Sequence, residues 1–292
     1  MSRRLPEWPV ERQAVASVVA TALAEDVGPG DLTTRVCVPA EARAVGTIVA
    51  KEPGIQSGLY VVKEVFRQLD EAIVFEALLG EGEAFSAGAV LARLAGAARP
   101  ILTGERVALN FLQHLCGVAT LTAAYARVIE GTGCLLLDTR KTTPGLRALE
   151  KAAVRAGGGH NHRFALFDGV LIKDNHIRVA GGVAEAIAAA RRAVHPGLRI
   201  EVEVQTFAQL EEALEAGADI ILLDNFTPEQ VAEAVRRIGG RAKVEASGGI
   251  TLDNVRAYAE AGVDFVSAGA LTHSAPALDL SLELVADEAA EV

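Results

Sequence analysis

The sequence is poor in aromatic residues and in cysteine. Aromatic side chains make up 4% of the 292 residues, while half of all residues are hydrophobic, so the core must be built mainly from Ala, Gly, Leu and Val. Cys37, Cys116 and Cys134 are odd in number and include no Cys-x-x-Cys pair, which argues against a disulfide framework and a structural zinc site. We expect all three to be reduced, buried thiols.

Two further absences limit the class of protein. No apolar run approaches the roughly 20 residues of a membrane span, and the arginine pair near the start is not followed by the apolar region of a signal peptide. The chain carries a formal charge of −10 and no arginine-rich tail, which argues against a nucleic-acid partner. These features predict a cytoplasmic protein.

Basic residues are nevertheless concentrated in one stretch. Residues 140–178 contain eight cationic side chains against three acidic ones; the cations are Arg140, Lys141, Arg147, Lys151, Arg155, Arg163, Lys173 and Arg178. A solvated surface is the ordinary explanation of such a cluster. Here the bases follow short apolar runs typical of buried strands, so we favour a focused site for a small, highly anionic ligand.

The first hundred residues or so have the pattern of a small α+β domain. Apolar residues at helical spacing predict helices over residues 10–23 and 59–69, and strands are predicted over 44–50 and 89–94. Residues 25–34, EDVGPGDLTT, are predicted to form a loop because of two glycines and a proline. A long helix is predicted from about Thr103, and Arg106 near its start is by itself an ordinary solvated arginine.

From Gly133 onward, predicted strands alternate with predicted helices. Helical segments cover residues 183–194, 207–216, 228–238 and 252–261, and two of them begin with the capping-box pairs Thr206–Gln209 and Thr227–Gln230. Strands separated by helices pair in parallel through right-handed crossovers. We therefore predict a (β/α) barrel, with an open doubly wound sheet as the alternative.

The predicted strand ends carry the candidate chemistry, because parallel strand ends meet at one edge. These ends are Asp138, Lys173, Glu203, Asp224, Ser247 and Ser267. Glu201 and Glu203 alternate along one strand and so share a face. Carboxylates there suit Mg²⁺ or sugar hydroxyls. The small residues at 247–249 and 268–270 would let backbone N–H groups approach a phosphate.

Two other readings of single residues stay open on this pattern. His160 and His162 could form a metal pair, although no third ligand stands at a recognisable spacing, so we rank hydrogen bonding to an anion above it. Lys173 at a strand end could form a Schiff base with a carbonyl substrate, which needs a neutral amine. The surrounding bases would equally serve to bind anions.

Several motifs together resemble the quinolinate phosphoribosyltransferase family. They are DTRKTTPGLR (138–147), GGGHNHR (157–163), LIKDNH (171–176), EVEV (201–204), LLDNF (222–226) and EASGG (245–249). EDVGPGDLTT (25–34) and GERVALNFL (104–112) extend the resemblance over nearly the whole chain. His160 and Val27 are tolerable variations within it.

The resemblance implies a fold, a reaction and an assembly. It implies an α/β sandwich over residues 1–115, an incomplete (β/α) barrel over 116–275, and a segment over 276–292 that returns to the sandwich. Quinolinate and phosphoribosyl pyrophosphate would be converted to nicotinate mononucleotide, CO₂ and pyrophosphate, with Mg²⁺ as cofactor, in NAD biosynthesis. It also implies a homodimer in which Arg106 reaches into the partner's site.

The resemblance assigns roles to individual residues. Lys141, Lys173, Glu203 and Asp224 are implied to be catalytic, and Glu203 and Asp224 also to lie near Mg²⁺ and the ribose. The implied substrate-binding residues are those four with Arg106, Thr139, Arg140, His162, Arg163, Ser247, Gly248, Gly249, Ala268, Gly269 and Ala270.

Three alternatives remain beside this reading. One is a related protein associated with molybdenum transport, whose substrate we do not assign. The second is a Schiff-base aldolase that acts through Lys173. The third is a non-catalytic sensor of a phosphate ligand, which would have no need of carboxylates opposite the bases.

Overall fold

A computed structural model describes residues 9–287, so the arginine pair near the start lies outside the described part of the chain. The described residues divide into two compact units. Residues 9–123, 143–158 and 274–287 form the first unit, and residues 124–142 and 159–273 form what we call the barrel unit.

The first unit combines an antiparallel sheet with helices. Its four-stranded sheet has the order β12-β1-β5-β3 and a separate ribbon joins β2 to β4. The strands are β1 (Arg43–Ala50), β2 (Gly54–Ile55), β3 (Val74–Ala77), β4 (Ala84–Phe85), β5 (Val90–Ala97) and β12 (Leu280–Ala286). The helices are α1 (Arg12–Val27), α2 (Leu32–Cys37), α3 (Leu59–Leu69), α5 (Arg147–Ala156) and α4 (Ala98–Val128), whose last turns belong to the barrel unit.

The last strand of the chain completes the sheet of this unit. β12 pairs antiparallel with β1 over the whole of its length, from Ala44 opposite Ala286 to Ala50 opposite Leu280. The buried residues of β1 alternate along the strand, as expected when one face of a sheet covers a core. Without β12, the backbone of β1 would lie at an open edge.

Two local predictions for this unit differ from the structure. Residues 25–34 are not a continuous loop, because α1 runs to Val27 and α2 begins at Leu32, where Asp31 Oδ1 accepts a hydrogen bond from Thr34 N at 2.9 Å. An aspartate cap is a helix start signal that the neighbouring glycines obscured. Cys116 and Cys134 are buried as predicted, whereas Cys37 is exposed at the end of α2.

The long helix α4 begins at Ala98, five residues before the predicted start. By length and composition it could cross a membrane, but 61% of its most apolar window is buried inside the protein. A buried core helix meets the same criteria of length and hydropathy. Its composition is therefore weak evidence for a membrane span.

The barrel unit contains a six-stranded parallel sheet. The order is β6-β11-β10-β9-β8-β7. The strands are β6 (Leu135–Leu137), β7 (Val170–Ile172), β8 (Ile200–Val204), β9 (Ile220–Asp224), β10 (Lys243–Ser247) and β11 (Phe265–Ser267). The first and second strands along the chain thus lie at opposite ends of the order, and a single parallel bridge joins Leu137 to His160 beside β6. This is the incomplete (β/α) barrel that the sequence predicts.

Helices follow the strands as the alternation predicts. They are α6 (Asp174–Ala180), α7 (Val183–Ala193), α8 (Phe207–Glu215), α9 (Pro228–Ile238), α10 (Val255–Glu260) and α11 (Ala270–His273). Thr227 and Gln230 form a full capping box, and Pro228 occupies the first turn. Thr206 caps α8 by accepting from Gln209 N, but the Gln209 side chain accepts from Gln205 N instead.

Candidate active site

The carboxyl ends of the barrel strands surround one pocket of about 590 Å³ in the barrel unit. Of the six predicted strand ends, Asp224, Ser247 and Ser267 are the last residues of their strands, and the other three, Asp138, Lys173 and Glu203, lie within one residue of a strand end. Polar side chains at the carboxyl ends of all six strands, or in the segments that follow β6, β7 and β9, face this pocket, as expected where parallel strands finish together. Its lining residues are Thr139, Arg140, Lys141, His162, Arg163, Leu171, Lys173, Glu203, Leu222, Asp224, Asn225, Glu245, Ser247, Gly248, Gly249 and Ser267.

A fully buried carboxylate, Asp138, holds two basic segments of the pocket together. Its Oδ1 accepts from His162 N at 2.9 Å and its Oδ2 accepts from Asn161 Nδ2 at 2.6 Å. Asp138 N also donates to His160 O at 3.0 Å. Asp138 is therefore a structural residue that fixes residues 160–163 beside the end of β6.

The guanidinium of Arg163 is anchored and partly desolvated. Its Nη1 donates to Gly169 O at 3.0 Å. Burial, and next the positive charge of Arg140, lower the pKa of Arg163, while Glu201 and Asp168 oppose that shift. Arginine keeps its charge in such surroundings. Arg140 and Arg163 thus give one side of the pocket a positive potential, which suits an anionic ligand.

Lys173 and Glu203 form an ion pair across neighbouring strand ends. Lys173 Nζ lies 2.9 Å from Glu203 Oε2, and the glutamate side chain is 12% exposed. This contact engages the Lys173 amine with a carboxylate partner, whereas a Schiff-base lysine must attack a carbonyl as a free amine. The geometry therefore does not support the aldolase alternative.

A second carboxylate, Asp224, stands at the end of β9 in a set of amide contacts. Its Oδ2 accepts from Asn225 Nδ2 at 3.0 Å and from Gln205 Nε2 at 3.2 Å. Both amides orient the carboxylate without neutralising it. Glu203 and Asp224 thus present hard oxygen ligands to the same pocket.

The loop after β10 brings backbone close to Asn225. Gly248 has φ +91°, and a Cβ added there would lie 2.3 Å from Asn225 Oδ1. Asn225 itself has φ 60° and is the only non-glycine residue with positive φ among the described residues. A short asparagine is one of the few residues that tolerate this conformation. Conformational strain of this kind is commonly stored at functional sites.

A buried cluster lies at the inner end of the pocket, and we call it the floor cluster: His162 and Glu245, which line the pocket, and Glu201, which does not. His162 Nε2 lies 3.1 Å from Glu201 Oε2 and 3.7 Å from Glu245 Oε2. Burial, and then the Glu201 carboxylate, raise the pKa of Glu245 well above that of an exposed glutamate, with His162 and Ser267 opposing. The ligand atoms of the three residues lie within 4.8 Å of one another.

Most predicted site residues lie around the pocket, and a few do not. Among those predicted, the lining contains Thr139, Arg140, Lys141, His162, Arg163, Lys173, Glu203, Asp224, Ser247, Gly248 and Gly249. Four predicted residues are not among its lining: Ala268, Gly269 and Ala270, which follow β11, and Arg106, which is exposed on α4 in the first unit.

Sequence reasoning did not select several lining residues. These are Leu171, Leu222, Asn225 and Glu245, while Ser267 was predicted only as a strand end. Glu245 could have been found, because it lies two residues before Ser247 on the same strand and so points to the same face. Asn225 could not, since nothing in the sequence marks its positive φ. His162 was predicted to face a substrate carboxylate, and both of its ring nitrogens already have protein partners in the structure.

The fold and pocket define a barrel protein that places basic side chains beside carboxylates at its strand ends. Comparison with known families makes the class specific. Residues 31–116 match the family model of the quinolinate phosphoribosyl transferase N-terminal domain, and residues 118–283 match that of its C-terminal domain. The chain belongs to the quinolinate phosphoribosyl transferase family.

Individual relatives agree with this assignment. The chain is 46% identical over 260 residues to the probable nicotinate-nucleotide pyrophosphorylase [carboxylating] of Bacillus subtilis, covering 89% of this chain and 90% of that one. It is 43% identical over 282 residues to the corresponding Mycobacterium leprae protein, with 94% and 98% coverage. The crystal structure of NadC from Streptococcus pyogenes matches with a TM-score of 0.90 at 41% identity, covering 95% and 98% of the two chains.

Proposed function

We propose that this protein is a quinolinate phosphoribosyltransferase. It would join quinolinate to phosphoribosyl pyrophosphate and release nicotinate mononucleotide, CO₂ and pyrophosphate, as an enzyme of NAD biosynthesis. The observation that carries the proposal is the mixed-charge pocket, in which basic side chains stand with Glu203 and Asp224 around one cavity. The names of relatives above 40% identity support the same reaction.

Quinolinate is a dicarboxylate and calls for the cations of the pocket. We assign its carboxylates to Arg140, Arg163 and Lys173. Guanidinium and carboxylate groups form paired, charge-assisted hydrogen bonds, which fix the plane of the ligand as well as hold it. Arg163 is suited to this role because its contact with Gly169 O leaves other guanidinium N–H groups for a ligand.

The phosphoribosyl donor would occupy the remaining sides of the pocket. We assign its pyrophosphate to Lys141 and Lys173, its ribose hydroxyls to Glu203 and Asp224, and its 5′-phosphate to the small-residue segments. These segments comprise Ser247, Gly248 and Gly249 after β10, and Ala268, Gly269 and Ala270 after β11. Gly269 lies close to the Lys141 side chain, since a Cβ there would be 3.0 Å from Lys141 Cδ.

Mg²⁺ fits the carboxylates of this pocket. Glu203 and Asp224 offer oxygen atoms at neighbouring strand ends, and Mg²⁺ is usually bound by one or two carboxylates together with substrate phosphates. When bound, the ion would neutralise charge on the departing pyrophosphate. We propose Mg²⁺ as the cofactor on these grounds.

The residues of the chain would act mainly by electrostatics and positioning. As pyrophosphate leaves, positive charge develops on the anomeric carbon, and Glu203 and Asp224 stabilise it. Lys141 and Lys173 stabilise the leaving group, while the arginines hold the quinolinate nitrogen in line to attack. Quaternised nitrogen then stabilises the carbanion formed when the adjacent carboxylate departs as CO₂, and this carbanion takes up a proton from solvent to give nicotinate mononucleotide. No covalent enzyme intermediate is needed.

The direct test is CO₂ release from carboxyl-labelled quinolinate. We expect release with both the phosphoribosyl donor and Mg²⁺ present, together with nicotinate mononucleotide, and none when the donor is omitted. Lys173→Ala should abolish it. Turnover without the donor, or borohydride trapping of a carbonyl substrate on Lys173, would contradict the proposal and favour lyase chemistry.

We further propose a cytoplasmic homodimer in which Arg106 serves the partner's site. Its support is that Arg106 belongs to the family motif GERVALNFL and is exposed on α4. Two inactive variants, Arg106→Ala and Lys173→Ala, should then restore activity when co-expressed, because a heterodimer would contain one site with both residues intact. Demonstrated heterodimers without activity would contradict the shared site.

A further inference from the structure

The floor cluster is built from alternate strands of the barrel. Glu201 lies on β8 and Glu245 on β10, on either side of β9, and both side chains are almost fully buried. Alternate strands contribute the inward-pointing layers of such barrels, and those layers are normally apolar. Two glutamates in this position need a specific reason, because burying a charged carboxylate is costly unless it is paired and hydrogen bonded.

His162 meets these glutamates in a defined tautomer. The backbone N–H of Arg163 donates to His162 Nδ1 at 2.7 Å. A backbone amide is always a donor, so Nδ1 must carry a lone pair and the ring proton must be on Nε2. Nε2–H then donates to Glu201 Oε2 at 3.1 Å. The hydrogen bonds of His162 thus connect the two glutamates to the backbone of Arg163, whose side chain is assigned above to a quinolinate carboxylate.

The same tautomer excludes a metal centre as the purpose of the cluster. A metal at Nε2 would require the lone pair there and a proton on Nδ1, which would point at the Arg163 N–H. The oxygens Glu201 Oε1 and Glu245 Oε1 have no donor among the described residues. The His162 Nε2–H instead faces the other oxygen of each carboxyl group, Glu201 Oε2 at 3.1 Å and Glu245 Oε2 at 3.7 Å.

We propose that Glu245 is a positioning residue of the quinolinate site: with Glu201 it holds the His162 imidazole as the Nε2–H tautomer and thereby fixes the backbone of Arg163. Glu245 acts through His162 and has no assigned contact with substrate. This role rests on the function proposed above for the pocket. Two buried glutamates beneath a site for a dicarboxylate would by themselves weaken binding of that ligand through charge repulsion. The positioning role gives a reason for their presence.

Conservative and disruptive variants of Glu245 test the proposal by kinetics. Glu245→Gln keeps the shape of the side chain and an oxygen that can face His162 Nε2–H, so quinolinate KM should stay within about threefold of wild type, whereas Glu245→Ala should raise it about tenfold, or ~1.4 kcal/mol. The KM for phosphoribosyl pyrophosphate should change by less than about threefold in both. Glu215→Ala, at an exposed glutamate on α8, controls for loss of a carboxylate. An unchanged quinolinate KM in Glu245→Ala would overturn the proposal.

A double-mutant cycle tests whether the effect passes through His162. In a His162→Ala background, Glu245→Ala should add less than about twofold to quinolinate KM, because coupled residues are not additive. The full effect of Glu245→Ala in that background would overturn the proposal. Ser267→Ala is a second control, since Ser267 Oγ donates to Ser247 Oγ at 2.9 Å on the phosphate side. It should affect the phosphoribosyl donor more than quinolinate.

The tautomer can be observed directly by long-range ¹H–¹⁵N NMR of the six histidine side chains in the intact protein. His162 should show a protonated Nε2 and an unprotonated Nδ1 in wild type and in Glu245→Gln, but exchange between forms in Glu245→Ala. A protonated Nδ1, or a stoichiometric metal in the purified protein that His162→Ala loses, would overturn the proposal. Lack of quinolinate turnover by the wild type would instead refute the proposed function. The NMR measurement would then still decide whether Glu245 holds the His162 tautomer.

Discussion

Substitution of Gly248 by alanine combines two costs in the loop after β10, namely backbone strain and a side-chain collision. At φ +91° an alanine is strained, which costs about 1–2 kcal/mol. The new methyl would also lie 2.3 Å from Asn225 Oδ1. The amide must therefore move, and its 3.0 Å hydrogen bond to Asp224 would break. Overpacking of this kind typically adds about 1–3 kcal/mol.

Gly249 provides a matched control in the same loop. It has φ +63°, and an added Cβ would meet nothing within 4 Å. Gly249→Ala should therefore lower the unfolding free energy by only the strain component of about 1–2 kcal/mol. With roughly 2–4 °C per kcal/mol for a domain of 150–250 residues, Gly248→Ala should lower Tm by about 4–20 °C and Gly249→Ala by about 2–8 °C.

The assay is thermal unfolding of the three proteins in parallel, with turnover at subsaturating phosphoribosyl pyrophosphate. Asn225→Gly in the Gly248→Ala background should recover part of the lost Tm, because glycine accepts φ 60° and removes the collision. Equal losses of Tm in the two alanine variants, or no recovery in the double variant, would refute the reasoning.

Three further substitutions address charge. Arg163→Lys should raise quinolinate KM at least about tenfold, because lysine cannot form a paired guanidinium contact; the exposed Arg178→Lys is its control, and equal KM values in both would contradict the assignment. Asp224→Asn should reduce turnover with phosphoribosyl pyrophosphate while quinolinate affinity, measured by titration, stays within about threefold; parallel loss of both would indicate a structural role. Burial raises the pKa of Glu81 from 4.5 to about 7 although Gly58 N and Ser57 Oγ donate to it. The folded state therefore holds this proton more tightly than the unfolded state. The unfolding free energy of the wild type, measured by urea titration, should fall as pH rises from about 5 to about 7, by less than ~1.4 kcal/mol per pH unit. Glu81→Gln should remove this slope.

Periodicity and turn chemistry were sufficient to predict most of the barrel unit. Its strands are short apolar runs. The start of α9 at Pro228, with Thr227 as the N-cap, was predicted correctly. α2 was missed because glycines on either side of Pro29 indicate a loop more strongly than one aspartate indicates a cap. α10 is shorter than predicted, beginning at Val255, because Asn254 Oδ1 accepts from Thr251 N and holds the preceding residues in a turn.

The sequence predicts the charged residues of the pocket that follow apolar strands, but not the buried residues beneath them. Arg140, Lys173 and Asp224 are visible as polar residues after apolar strands. Glu201 was noted only for its alternation with Glu203, and its contact with His162 depends on residues about forty positions apart in the sequence. Such contacts are set by packing of the whole barrel. A single sequence carries no local signal for them.

The pairing of β12 with β1 makes the order of synthesis matter. During translation, every strand of the parallel sheet has been made by Ser267, so this sheet can form while the ribosome still holds the rest of the chain. The antiparallel sheet cannot be completed by then, because β1, which can already pair with β5 on one side, finds its partner on the other side only when residues 280–286 emerge. Until then β1 exposes unpaired N–H and C=O groups, which are a template for association with other chains. A chain that stops before Leu280 would keep all of the pocket-lining residues and yet expose a strand edge for its whole lifetime.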